Sequence, residues 1–240
     1  MSNIKHFQLP ENLDLRGVET VYQLNLIKRL FAGLAAQLAD AQRRTIEELQ
    51  NEFPIDSRDA YDEMRSVVNG QDNHHETEVQ ALRAAEMVRL YMLLEQELKS
   101  FCSSVKSHKS SALEWRDFDG SFVEKARKFL CRYLQLLDSG NSIWRDLDDF
   151  RIVRVHLVHG TDDHSDKASL NGIKRLAKRL PRLGLMDGPE FVLSRTTCDH
   201  FHEVVKRLFE ALFDAVGWKA FRQTGSILVN DTEATAAESR

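Results

Sequence analysis

Apolar residues recur along this chain at intervals of three and four, the spacing of one helix face, and I-x-I alternation of the kind that marks strands is nearly absent. From about Val18 to Glu52, the residues Val21, Leu24, Ile27, Phe31, Leu34, Leu38, Ala41 and Leu49 fall on one stripe. The pattern predicts a long helix that ends at Phe53-Pro54, because the residue before a proline resists helical backbone. Ser57 is placed to cap a short helix with Tyr61, Met64, Val67 and Val68 facing inward, and Asn69-Gly70 reads as a turn. A second long helix is expected from about His75 to Val105. Its seam is Val79, Leu82, Met87, Leu90, Tyr91, Leu94, Leu98, Phe101 and Val105, and it is expected to pair antiparallel with the first.

A polar connection, KSHKSSALEWRDFDG, leads to a helix predicted over Ser121 to Ser139, with Phe122, Ala126, Phe129, Leu130, Tyr133 and Leu137 on one side and Gly140 past its end. A further helix is expected over Ser142 to His159, stopped by Gly160, and then a loop, TDDHSDKASLNG. Residues 172 to 180 form a basic helical turn or two before Pro181, and GLMDGPEFVLSRTT is a candidate for a short extended piece. The last helix is expected from Thr197 to Val216, capped by Thr196, with the stripe Phe201, Val205, Leu208, Leu212 and Val216. The fold class that follows is all-α. The layout is an irregular leader (1–17), one helical domain (18–222) made of a long helix hairpin (18–108) and a bundle (122–217), and a flexible tail (223–240).

One predicted helix carries unusual chemistry. In FRIVRVHLVHG, residues 150–160, Arg151, Arg154, His156 and His159 are threaded through six apolar residues. At ~100° per residue, Ile143, Leu147, Phe150, Leu157 and Val158 share a face with Arg154 near its middle, while Ile152 and Val155 lie toward the other side. A helix apolar nearly all round is expected to be buried on both sides, one against the bundle and the other against a partner subunit. An arginine stays charged, and burying it unpaired costs several kcal/mol. Arg154 therefore needs an anion, either a carboxylate of its own helix (Asp146, Asp148 or Asp149) or an external phosphate, which the guanidinium fork suits. A histidine changes protonation near neutral pH. Arginine and histidine together suffice for RNA cleavage without a metal: one steadies charge on phosphorus, the other moves protons at the 2′-hydroxyl or the leaving oxygen. Arg154 and His159 are five residues apart, ~140° around an ideal helix, so a shared site requires the last turn to unwind or two helices to meet across a two-fold axis.

The segment RVHLVHG resembles the Arg-x4-to-6-His signature of the HEPN superfamily (higher eukaryotes and prokaryotes nucleotide-binding), and GLMDGPEFVLSRTTCDHFHEVVKRLFEALFDA is similar to the closing segment of several of its families. The resemblance covers roughly residues 122 to 217. It implies a helical bundle that dimerises and a metal-independent endoribonuclease of toxin–antitoxin or antiviral systems. It further implies RNA as substrate, a possible antitoxin or defence partner protein, and no cofactor. Arg154 matches the family's arginine and His159 its histidine. Arg151 with His156 offers a second register of equal spacing. Val155 stands where the family often has a polar residue. The alternative is a catalytically inactive helical module that binds RNA or a partner protein.

Charge adds one more candidate. The net charge of −4 excludes a uniformly basic coat, so any nucleic-acid site is a local patch. In GIKRLAKRLPR, Lys174, Arg175, Lys178, Arg179 and Arg182 form a basic stripe that suits phosphate contacts, or else a solvated face. No metal is expected. His156, His159 and His164 with Asp162 and Asp163, and Cys198 with His200 and His202, lack any established ligand spacing. Glycine-rich phosphate loops, GxSxG and HExxH are missing as well. Three scattered cysteines, no signal peptide and no membrane-length apolar run lead to the expectation of a cytoplasmic protein.

Overall fold

A computed structural model describes residues 15–52, 58–159, 174–180, 183–185 and 191–216. The described chain is all-α apart from one minimal ladder. Its elements are α1 (Leu15–Glu52), α2 (Arg58–His108), a 3-10 turn (Trp115–Asp117), α3 (Phe122–Arg127) continued by a wide π turn (Lys128–Tyr133), α4 (Ser142–His159), α5 (174–179), strands β1 (Gly184–Leu185) and β2 (Phe191–Val192), and α6 (Arg195–Ala215). The strands pair antiparallel, Gly184 with Val192 and Leu185 with Phe191, which locates the expected extended piece. No helix among the described residues is long and apolar enough to cross a membrane.

Several expected boundaries move. α2 is one helix, and Asn69-Gly70 lies inside it rather than at a turn. Two observations account for this: Gln42 Nε2 of α1 donates to Asp72 Oδ1 at 2.7 Å just beyond the pair, and Met64, one turn earlier, is buried. Tertiary pairing outweighs the weak local preference of two residues, a cost of about 1 kcal/mol for a helical glycine. Tyr61, expected inside, is exposed. α1 starts at Leu15, so Gly17 is helical; a Cβ there would lie 3.5 Å from the Phe213 ring. The helix expected to Ser139 closes at Tyr133, after which Gln135 takes a left-handed φ of 54°. Its start is fixed by a capping box: Ser121 Oγ accepts from the Glu124 N–H, and Glu124 Oε2 accepts from the Ser121 N–H. Gly120, at φ 116°, leaves room for that carboxylate, which a Cβ would meet at 2.6 Å.

The chain divides into two compact units whose boundaries fall within α1, α2, α4 and α6. Unit 1 comprises Met1–Asn25, Leu93–Asp148 and Glu203–Arg240. Leu94, Leu98, Phe129, Leu130, Trp144, Leu147, Leu208 and Leu212 fill its core, and Phe101 meets Phe213 edge-on at 5.6 Å. Unit 2 comprises Leu26–Met92 and Asp149–His202. Met87, Leu90, Tyr91, Phe150, Val153, Leu193, Cys198 and Phe201 make its core. All the candidate site residues belong to unit 2.

Candidate functional site

α4 spans the predicted residues. Asn141 caps it, its side-chain oxygen accepting from the Ile143 N–H at 3.0 Å. Its buried residues include Leu147, Phe150, Val153 and His156, spaced by three. Each such step falls short of a full turn by ~60°, so the buried stripe winds around the helix axis. Val158 is 45% exposed and Leu157 is half-buried, whereas His156 turns inward at 8%.

Arg151 and Arg154 are half-buried, and the Nε of each is buried with no hydrogen-bond partner among the described residues. The Arg154 guanidinium lies over the Tyr91 ring, 5.8 Å from its centroid. Tyr91 meets Phe150 edge-on at 5.2 Å, and Phe150 stacks on Phe201 at 4.6 Å. This aromatic row fixes the floor beneath Arg154. None of the three aspartates of α4 reaches the arginine. Asp146 is beside Arg145 and Asp148 is beside Arg127, both at 3.9 Å, and Asp149 pairs with Arg179. Among the described residues, neither Arg151 nor Arg154 has a carboxylate within ion-pair distance. The pair is separated by one helical turn, so both side chains leave α4 on the same side.

The remaining candidates are distributed around this helix. His159 is the last residue of α4, five positions after Arg154. His156 is buried and lies ~160° around from Arg154. In α5, Leu176 is buried while Lys174, Arg175 and Lys178 are exposed. Arg179 is engaged by Asp149, which sits ~140° around α4 from Arg154. The basic stripe therefore docks on a different flank of α4 from the two arginines. Arg182, His164, Asp162 and Asp163 lie outside the described residues. Among the described residues, no three His, Cys, Asp or Glu side chains are grouped to hold a metal ion.

A second polar cluster was not foreseen. Glu86 of α2 is only 1% exposed, and two side chains converge on it. Arg195 Nη1 donates to both of its oxygens, at 3.2 and 3.0 Å, and His202 Nε2 lies 2.9 Å from Oε1. Arg195 Nη2 also donates to Asp199 at 2.9 Å, with Lys28 3.7 Å from that carboxylate. Burial opposes ionisation of Asp199, but the hydrogen bond and charge of Arg195, with Lys28, outweigh it and hold the carboxyl below its usual range. Burial pushes the neighbouring Cys198 thiol up to about 12, and the Glu86 charge adds to this. Just before α6, Gln80 and Arg83 clamp the backbone of Leu193. Ser194, not Thr196, caps α6 by accepting from the Thr197 N–H at 3.1 Å. The signal for this cluster was a carboxylate standing in the apolar seam of α2, between Leu82 and Leu90. No family model matches the chain, and no curated protein or solved structure is detectably similar to it.

Proposed function

We propose that this protein is a metal-independent endoribonuclease of the HEPN type, acting as a toxin or antiviral effector. The observation that carries the reading is the Arg154 guanidinium: half-buried, its Nε without an acceptor among the described residues, while all three aspartates of its helix face other cations. Among the described residues such a cation lacks an anion, and a phosphodiester supplies one with matching fork geometry. Arg154 would grip the scissile phosphate and steady the charge that builds on phosphorus. His159 would take the 2′-hydroxyl proton or protonate the departing 5′-oxygen, leaving a 2′,3′-cyclic phosphate and a 5′-hydroxyl. Because Arg154 and His159 diverge by ~140° along one helix, the complete site draws its histidine from a second copy across a two-fold axis.

The test is cleavage of a structured RNA by the purified protein in excess chelator. Cleavage that persists, and is lost in both Arg154→Ala and His159→Ala, supports the reading. Cleavage that needs a divalent ion, or survives His159→Ala, refutes it. A second reading is favoured by Val155, half-buried where the family often has a polar side chain. It is a non-cleaving helical module that holds RNA or a partner protein. RNA retained without cleavage and released by Arg154→Ala selects it.

A further inference from the structure

Resting on the reading of Arg154 as a phosphate anchor, we infer that Arg151 is a second phosphate-binding residue, so that the site takes two consecutive phosphates of a single strand. Four observations converge. Arg151 and Arg154 share the same unusual state, each half-buried with its Nε enclosed and no acceptor among the described residues. They are one helical turn apart on one side of α4, where side-chain origins are ~5–6 Å apart. That matches the step between neighbouring phosphates along a strand. The nearest carboxylate in sequence, Asp149, points away and is neutralised by Arg179, so it does not repel an incoming anion. The next turn of the same side presents Val155 and the exposed Val158, an apolar strip beside the cations that suits the face of a base or sugar rather than another charge.

With Nε enclosed, each guanidinium offers its outer nitrogen pair. Two such forks at fixed separation discriminate by spacing: a ligand with one phosphate satisfies one of them, and a ligand with two adjacent phosphates satisfies both. An acidic peptide can also repeat carboxylates on one side of an extended backbone at ~6.6 Å, but it brings no flat ring to lie on the strip of Val155 and Val158, as a base does. The inference therefore favours a nucleic-acid strand.

The experiment uses the full-length protein and a fluorescently labelled 2′-O-methyl RNA ten-mer, which cannot be cleaved. Binding is followed by anisotropy across a salt series. For single strands, each neutralised phosphate contributes about 0.7 to the slope of log K against log salt. Arg151→Met and Arg154→Met are each expected to lower the slope by about 0.7, and the double variant by about 1.4. Uridine 3′,5′-bisphosphate should displace the probe at least ~10-fold better than uridine 3′-monophosphate, an advantage that Arg151→Met removes. An unchanged slope in Arg151→Met, or equal competition by the two nucleotides, overturns the inference even if Arg154-dependent cleavage stands. Displacement by poly-glutamate at equal charge overturns the nucleic-acid assignment. If the slopes fall as expected but native RNA is not cut, the two-phosphate site stands and the nuclease reading falls. A DNA ten-mer in parallel distinguishes the two kinds of strand. Arg151→Lys, which keeps charge without the fork, should retain the slope while weakening binding; circular dichroism verifies that each variant is folded.

Discussion

Replacing Arg154 by methionine should stabilise the protein in the absence of RNA. Methionine keeps an unbranched apolar stem over Tyr91 and removes the guanidinium. What is relieved is a buried Nε–H with no acceptor among the described residues, a defect of about 1–3 kcal/mol. What is lost is the cation–ring contact with Tyr91 at 5.8 Å, about 0.5–1 kcal/mol at a half-buried position. The difference is a net gain of about 1 kcal/mol, which for a chain of this size raises Tm by about 2–4 °C. Thermal unfolding followed by circular dichroism in a phosphate-free, low-salt buffer measures it. The same scan with an uncleavable RNA ten-mer should raise the Tm of the wild type more than that of Arg154→Met, which keeps only the Arg151 contact. A variant less stable than wild type by several degrees would mean that the guanidinium is already satisfied within the chain, and the case for an external phosphate would fail with it.

Glu86→Ala should be the most damaging of the simple truncations. It leaves Arg195 and the buried His202 facing each other without their shared carboxylate, a loss of about 3 kcal/mol measurable by urea unfolding, with Glu86→Gln milder. Ser194→Ala should cost about 1 kcal/mol through loss of the α6 cap. Alkaline pH should weaken the fold through the buried thiols. Cys102 and Cys198 are raised from 9.0 to about 12 and Cys131 to about 11, in each case chiefly by burial. Folded protein holds these thiols neutral while unfolded chain ionises them, so their contribution is complete below pH 9 and drains away as pH rises toward 11 and 12. A pH series of urea midpoints should show this decline, flattened in Cys198→Ala. The same three thiols should react with a disulfide reagent at neutral pH only as fast as the protein opens.

Periodicity made the long elements legible. α4 was readable to the residue, because Asn141 precedes it and apolar positions run through it, and the stripe of α6 was equally plain. Local turn signals misled at Asn69-Gly70, where pairing of α2 with α1 overrode the preference of two residues. They misled again at Thr196, where Ser194 was the better-placed hydroxyl. On α4, the arginines were visible as charges on an apolar helix. The winding of the buried stripe, which turns His156 inward and Val158 outward, was not, since it depends on what packs against each turn. The Glu86 cluster was hidden for a different reason. Its partners are 109 and 116 residues away, and only the misplaced carboxylate in the α2 seam hinted at them.

That separation governs how the protein is born. Glu86 leaves the ribosome more than a hundred residues before Arg195 and His202, a delay of roughly 5 to 20 seconds at ordinary elongation rates. Throughout that interval its carboxylate must stay hydrated, which keeps the middle of α2 from closing. Unit 2 thus matures only when the start of α6 arrives to neutralise it, and a chain interrupted upstream of residue 195 leaves an apolar seam open to chaperones and proteases.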